Sequence, residues 1–270
     1  MSDRMTELRD EFNPKRLNVL AALREAYSGA WNNLGEMLRL IWLPCALWVA
    51  LSIVAALIDA RDLPVLQFLV ETATLFLWPI IAVAWHRFIL VGDAAPGKVH
   101  LRFGRREGRF LLVSFFLLLL FMPGFIITMG TTEFSDPAAG PTGSLIGFVG
   151  LLLLMVGIYY FVRLSLLLPA VAVAVDEPMN ARLILERTRN NFWRLVALIL
   201  LTGLPIAIFF WLVAWVAAAL GLPAIVPLIV YAVVYVFFAI VNVAILSVAY
   251  RELIGPPGTL ANDMDHPETM

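Results

Sequence analysis

The sequence predicts an all-α fold, a polytopic bundle of six transmembrane helices with two amphipathic helices at its cytoplasmic face. Of its 270 residues, 61% are hydrophobic and only 14% are charged, whereas soluble domains have about 25% charged residues. The hydrophobic residues are concentrated in runs of about 20 residues or more, the length that an α-helix needs to cross the hydrocarbon core. This composition excludes a soluble globular domain.

Six apolar runs are predicted to be spans, and they divide the chain into three parts. Residues 1–35 form a cytoplasmic N-terminal segment with an amphipathic helix, and residues 36–254 form the membrane domain. Residues 255–270 are polar and proline-bearing, which is typical of a disordered tail. The first run is too long for the core of a secretory signal peptide, so we expect it to stay in the membrane. The predicted spans are residues 37–58, 65–85, 110–129, 145–175, 195–220 and 224–249.

Two segments outside the spans have amphipathic patterns. Asn13 and Pro14 are suited to the N-cap and first position of a helix. We expect this helix either to lie in the headgroup plane, with Trp31 at the interface, or to pack against the ends of the spans. A second amphipathic segment is predicted from Asp176 to Trp193. The apolar residues that recur at helical spacing in the first segment are Leu20, Leu23, Tyr27, Ala30, Trp31 and Leu34.

The distribution of basic residues predicts the orientation. With six spans, residues 59–64, 130–144 and 221–223 share one side of the membrane, and Arg61 is the one basic residue there among 19 in the chain. Because basic residues are enriched in cytoplasmic loops, both termini are predicted to be cytoplasmic. An odd number of spans would not give this alternation, so the charge pattern also supports six.

A pattern of prolines and arginines recurs three times along the chain. In each case a basic or amphipathic segment precedes a proline-containing span, and a polar turn leads to a span that ends near an arginine. Such pairs are common in membrane proteins, so the pattern is compatible both with a threefold hairpin repeat and with unrelated hairpins. The prolines are Pro44, Pro123 and Pro205, and the arginines are Arg87, Arg163 and Arg251.

The fourth run differs from the others in its length. Residues 145–175 are 31 residues, or about 46 Å as a helix, which exceeds the hydrocarbon thickness. Arg163 is expected near the cytoplasmic boundary, with a bend or break at Pro169. Residues 164–175 would then either continue the span at a tilt or lie in the interface.

Five polar residues in or near the spans are candidate functional residues. Arg87, Arg163 and Arg251 either extend to lipid phosphates or form a basic cluster that binds lipid headgroups or an anionic solute. Glu71 is either a cation or proton site, or a carboxylate within reach of headgroup water. Asn242, together with Ser247, could join the basic cluster or form a hydrogen bond between helices.

The chain lacks the motifs of common enzymes. No G-x-S-x-G, H-E-x-x-H or P-loop is present. His86 is expected at the interface, and neither it, His100 nor His266 has a metal-ligand neighbour at suitable spacing. We therefore expect no catalytic residue, metal, cofactor or nucleic-acid partner. The single cysteine, Cys45, allows no disulfide within the chain.

Four segments resemble a bacterial membrane family named for the membrane domain of glycerophosphoryl diester phosphodiesterases. The resemblance covers roughly residues 15–255. In fused members a separate soluble domain hydrolyses the substrate, using His, Glu and Asp around a divalent metal, and this chain has no room for such a domain. The resemblance implies a six-span module of the bacterial inner membrane with a role in lipid or envelope biology. The segments are residues 160–171 (YFVRLSLLLPAV), 183–193 (LILERTRNNFW), 85–92 (WHRFILVG) and 246–253 (LSVAYREL).

The sequence favours a non-catalytic bacterial inner-membrane protein that acts as an accessory, scaffold or lipid-contacting module. Its expected partners are the bilayer, an anionic phospholipid and another membrane protein. The alternative is a small-solute transporter or permease with a site among broken helices. A polar cavity at the bilayer midplane would favour transport, and a lipid-filled groove near Arg163 would favour the first interpretation. A membrane enzyme would need clustered acids or histidines at one interface.

Overall fold

The computed structural model describes residues 16–59, 61, 63–93, 103–133, 140–173 and 180–256, and over these residues the chain forms nine α-helices and no strand. The predicted all-α fold is therefore confirmed. The predicted tail lies almost entirely outside the described residues. The helices are α1 (Val19–Asn32), α2 (Leu34–Asp59), α3 (Pro64–Val91), α4 (Arg105–Glu133), α5 (Gly140–Leu164), α6 (Leu167–Val173), α7 (Ala181–Thr188), α8 (Phe192–Ala219) and α9 (Ile225–Leu253).

Six of these helices are long and apolar enough to cross a membrane: α2, α3, α4, α5, α8 and α9. They correspond to the six predicted spans, because a long apolar run is a clear sequence signal for a transmembrane helix. Consecutive spans α2–α3, α4–α5 and α8–α9 pack against each other. Pro44, Pro123 and Pro205 each lie inside the first helix of a pair. The order matches the predicted hairpin pattern, while a true repeat stays a prediction.

Glycines bring α4 and α5 into close contact. A Cβ atom on Gly157 would lie 2.4 Å from the Leu120 carbonyl oxygen, and one on Gly124 would lie 2.2 Å from the Leu154 backbone nitrogen. Neither distance leaves room for a methyl group unless a backbone moves. Small residues are typical of helix pairs in membranes, where close packing replaces the hydrophobic driving force.

The fourth apolar run is broken earlier than predicted and ends in the protein interior. Its break lies at Ser165 and Leu166, between α5 and α6, rather than at Pro169. Proline clashes with the carbonyl group four residues before it, which here belongs to Ser165. The Leu168 N–H donates to that carbonyl instead, at 3.1 Å, and the helix restarts. Pro169 therefore causes the break, which occurs about one turn before it.

Helix α6 is part of the core. It packs against α3, α4 and α9, and four of its apolar side chains and Pro169 are buried. The segment therefore lies inside the bundle, and residues 145–173 together have the length and composition of one span. Its shortness allows this placement, since seven residues extend only about 10 Å.

Helix α1 begins later than predicted, and its predicted apolar face is buried only in part, with Ala30 buried and Leu23 and Tyr27 packed against the core. Residues 16–18 are not helical, and the Asn18 side chain caps the helix by accepting from the Ala21 N–H at 3.2 Å. Asn13 lies outside the described residues. The buried face consists of alanines, whereas Leu20 and Trp31 are exposed. Small side chains let α1 pack closely against α8 and α9. This agrees with the prediction that α1 packs against the ends of the spans.

The second amphipathic segment is also shorter than predicted. Helix α7 is capped by Asn180, whose side chain accepts from the Leu183 N–H at 3.0 Å, and it ends at Thr188. Residues 189–191 form a turn. Trp193, the expected end of the segment, is already the second residue of α8.

Two aromatic contacts set the direction of the chain as it enters α4. Phe103 contacts the ring of Phe76, and Phe110 contacts the ring of His86, with centroids 5.5 and 5.9 Å apart. The start of α4 therefore follows α3 in the same direction. Strict alternation of spans predicts the opposite direction for this part of the chain.

The close approach of α4 and α5 predicts that one added methyl group destabilises the protein. We expect Gly157→Ala to lower the free energy of unfolding by roughly 1–3 kcal/mol, because the added Cβ overlaps a neighbouring backbone. Reversible unfolding in mixed micelles, followed by far-UV circular dichroism, measures the change.

Gly203→Ala is the matched control. A Cβ at Gly203, in α8, meets no atom within 4 Å. We expect this variant to be unchanged or more stable by up to about 1 kcal/mol, because alanine favours a helix more than glycine does. Equal destabilisation by both variants would contradict the proposed close packing.

Candidate functional site

Arg163 lies inside the protein, at the end of α5. The residue is only 7% exposed. Its Nη1 donates to the Tyr159 hydroxyl at 2.5 Å and its Nε donates to the Thr188 hydroxyl at 3.2 Å. Its Nη2 donates to the Leu185 carbonyl oxygen, and the guanidinium stands over the Tyr159 ring, 5.0 Å from its centre. These bonds join α5 to the last turn of α7.

The contacts of Arg163 match the needs of both helices. The last four carbonyl groups of an α-helix lack partners within the helix, and Leu185 carries one of these in α7. A cation is also favoured at that end by the helix dipole. Arg163 is thus engaged by protein groups, and the described contacts give it a structural role.

The other two candidate arginines are paired with carboxylates. Arg87 forms an ion pair with Asp93, with Nε donating to Oδ2 at 3.0 Å. Arg251 pairs with Glu25 and so connects the end of α9 to α1. Each of the three arginines, Arg163 included, therefore has its own partners. Both of these pairs are partly exposed, so they remain within reach of solvent or headgroups.

Leu17, just before α1, is hydrogen-bonded to two residues that the sequence analysis did not identify as candidates. The Leu17 N–H donates to the Asn191 side chain at 2.9 Å, and the Leu17 carbonyl accepts from Arg194 at 2.8 Å. Leu17 and Asn191 are both buried. The partners are 174 and 177 residues apart in the chain, so no local pattern could indicate this contact.

Glu71 is exposed and accepts from the Gln67 side-chain amide at 2.9 Å. It lines a cavity of about 470 Å³ between α2, α3 and α9, together with Ser52 and Thr74. This exposure agrees with a carboxylate that solvent or headgroup water can reach. The cavity shares Trp78 and Tyr235 with a second cavity nearer the end of α3.

The second cavity, of about 230 Å³, contains Asn242 and a residue whose role was not predicted, His86. His86 was expected at the interface, but none of its surface is exposed. Its Nδ1 lies 2.7 Å from the Ser247 hydroxyl oxygen. The expectation failed because the histidine follows Trp85 near the end of an apolar run, which is also the usual position of an interfacial residue.

Among the described residues, no group of three or more His, Cys, Asp or Glu side chains is placed to hold a metal ion. Cys45 is a free, buried thiol. The site is therefore a set of separate polar contacts in an apolar bundle. Chemically, these groups can donate and accept hydrogen bonds, and the exposed arginines can bind anions.

The contacts of Arg163 predict a large effect of its removal. We expect Arg163→Met to lower the free energy of unfolding by roughly 2–4 kcal/mol, because the partners of a buried charged donor lose their bonds. Trypsin should also cleave faster at Arg187 and Arg189, since α7 is released from α5.

Arg182→Met, on α7, serves as the control. The Arg182 side chain is 90% exposed and forms a surface pair with Glu186. Such pairs contribute less than about 1 kcal/mol, so stability and cleavage rate should hardly change. The assigned role of Arg163 fails if its substitution leaves the cleavage rate at the level of the control.

Nothing matches this chain among protein-family models, curated proteins or solved structures. The chain is shown to be an all-α protein with six helices able to cross a membrane. Any more specific function must be argued from the contacts between its own residues.

Proposed function

We propose that this protein is a non-catalytic membrane module that binds anionic phospholipid headgroups. The observation that supports this is a surface on which exposed arginines accompany exposed tryptophans. We define this arginine–tryptophan surface by Arg16, Arg24, Trp31, Arg189 and Trp193. Trp31 and Trp193 are 68% and 77% exposed, and the three arginines are exposed without an ion-pair partner among the described residues.

The contacts at the start of α8 bring the parts of this surface together. Leu17, next to Arg16, is bonded to Asn191 and Arg194, which lie within two residues of Arg189 and next to Trp193. On α1, Arg24 and Trp31 are seven residues apart, close to two full turns, and so share one face. That face is exposed, whereas the alanine face is buried.

The chemistry of this surface suits a lipid headgroup layer. Tryptophan is enriched at the membrane–water interface, where its ring meets apolar chains and its N–H meets water. Arginine binds phosphate through two parallel hydrogen bonds. Each basic residue near an anionic membrane surface contributes roughly 1 kcal/mol to binding. A surface combining the two residue types therefore favours an anionic phospholipid over a neutral one.

The location follows from the same proposal. By the positive-inside rule, we infer that the arginine–tryptophan surface lies at the cytoplasmic leaflet, which is rich in anionic lipid. This agrees with the bacterial inner membrane that the family resemblance implies. An accessory role in lipid or envelope biology belongs to the same proposal. A hydrolase or transferase activity of the purified chain, abolished by substitution of one carboxylate, would overturn this part.

The alternative, transport of a small solute, has one observation in its favour. The cavities at Glu71 and His86 adjoin through Trp78 and Tyr235, so polar groups occur along the bundle at several depths. We retain lipid binding as the main proposal, because the large side chains of Trp78 and Tyr235 lie between the two cavities, where a transported solute would have to pass.

We expect phosphatidylglycerol to bind the detergent-solubilised protein more tightly than phosphatidylcholine, with apparent Kd values measured by native mass spectrometry. Arg24→Gln and Arg189→Gln should each weaken binding of phosphatidylglycerol about fivefold, which corresponds to roughly 1 kcal/mol per arginine. Binding of phosphatidylcholine should hardly change.

Arg61→Gln is the control, because Arg61 is also exposed but lies in the turn between α2 and α3. It should leave both affinities unchanged. Equal affinity for the two lipids in the unmodified protein would contradict the proposal, as would a loss at Arg61 as large as that at Arg24.

A further inference from the structure

Residues of five helices line the cavity beside His86. Trp78 and His86 come from α3, Phe110 from α4, Leu168 from α6 and Ile206 from α8, and α9 supplies the remaining wall. Aromatic and aliphatic side chains form most of this lining. The cavity of about 230 Å³ is several times the roughly 30 Å³ that one water occupies in the liquid, so it has room for a small organic molecule.

The hydrogen bonds around His86 determine which of its nitrogens is free. Ser247 donates its one hydroxyl hydrogen to the Val243 carbonyl, at 2.9 Å. The Ser247 oxygen can therefore only accept from His86, so Nδ1 carries a hydrogen. In the neutral ring Nε2 is then an acceptor, and this atom is buried without a partner. A charged ring would leave a buried cation, which costs far more.

Asn242 is another polar residue of the cavity wall, which also includes Tyr235. It is half-buried, and its amide forms no hydrogen bond with the described residues. No side chain with a full charge lines the cavity. An ion would therefore lose its hydration without compensation, whereas a neutral molecule would meet one strong acceptor and one amide.

We propose that this cavity is a binding site for a small, neutral, largely apolar molecule that donates one hydrogen bond to His86 Nε2. A phenol or another aromatic alcohol has the required chemistry: a single donor and a body that packs against Trp78 and Phe110. Water would find partners only at the few polar groups of the wall, whereas an aromatic body contacts the apolar side chains that form most of it. The cavity shares no residue with the arginine–tryptophan surface, so this inference and the lipid proposal can fail separately.

The test compares two probes that differ in the donor. 4-Fluorophenol carries the hydroxyl group and 4-fluoroanisole carries a methyl ether in its place. We expect the protein in lipid nanodiscs to bind 4-fluorophenol about fivefold to tenfold more tightly, the contribution of one hydrogen bond. Fluorine NMR titrations, corrected for partitioning into empty nanodiscs, give both affinities.

Variants then locate the binding. In His86→Phe the ratio of the two affinities should fall to about one, because phenylalanine keeps the ring but has no acceptor. Ser52→Ala, in the neighbouring cavity that contains Glu71, should keep the ratio of the unmodified protein. Since both probes are measured on each variant, a general loss of stability does not change the ratio.

A second measurement needs no variant. The chain has three histidines, so selective ¹⁵N labelling gives a spectrum with few imidazole signals. The unprotonated Nε2 signal of His86 should shift on addition of 4-fluorophenol and stay in place with 4-fluoroanisole. Equal binding of the two probes, a preference that persists in His86→Phe, or an unchanged Nε2 signal would each overturn the proposal.

Discussion

The break at Ser165 is the constraint on which much of this structure depends. Pro169 cannot continue the helix of its own run, so the chain stops α5 and begins α6 in the interior. There α6 packs among α3, α4 and α9, and it contributes Ala172 to the core around Trp85 and Leu168 to the cavity beside His86. A continuous helix of the same residues would extend past the bundle, and neither contact would form.

The same break explains how a guanidinium can be buried in an apolar protein. Arg163 lies two residues before Ser165, where the chain ends one helix, and α7 presents one of its last four carbonyl groups at that point. Burial of a charge is tolerated when protein groups replace its water. Tyr159, Thr188 and Leu185 do so here. An arginine that suggests a lipid site in the sequence thus stabilises a joint between helices.

The fold could be predicted from the sequence to the extent that it depends on local composition. Six spans follow from the length of six apolar runs, which no tertiary contact needs to specify. Packing decided the rest. The buried face of α1 is its alanines rather than Leu20 and Trp31, because the fit against α8 and α9 requires small side chains. His86 and Ser247 are 161 residues apart, so their pairing, and hence the candidate cavity, could not be read from either segment.

Among the described residues, the buried polar groups of this bundle are of two kinds: those that have a hydrogen-bond partner and one that lacks it. Arg163 is bonded to three groups, Asn191 holds the Leu17 N–H, and Trp85 donates to the Ile240 carbonyl at 3.1 Å. Buried polar atoms in native proteins nearly always have such partners. Within the described part of the chain, Nε2 of His86 is the buried side-chain atom that lacks one. Because His86 lines a cavity whose lining includes no fully charged side chain, a ligand that donates a hydrogen bond to Nε2 would complete a pattern that the rest of the interior already follows.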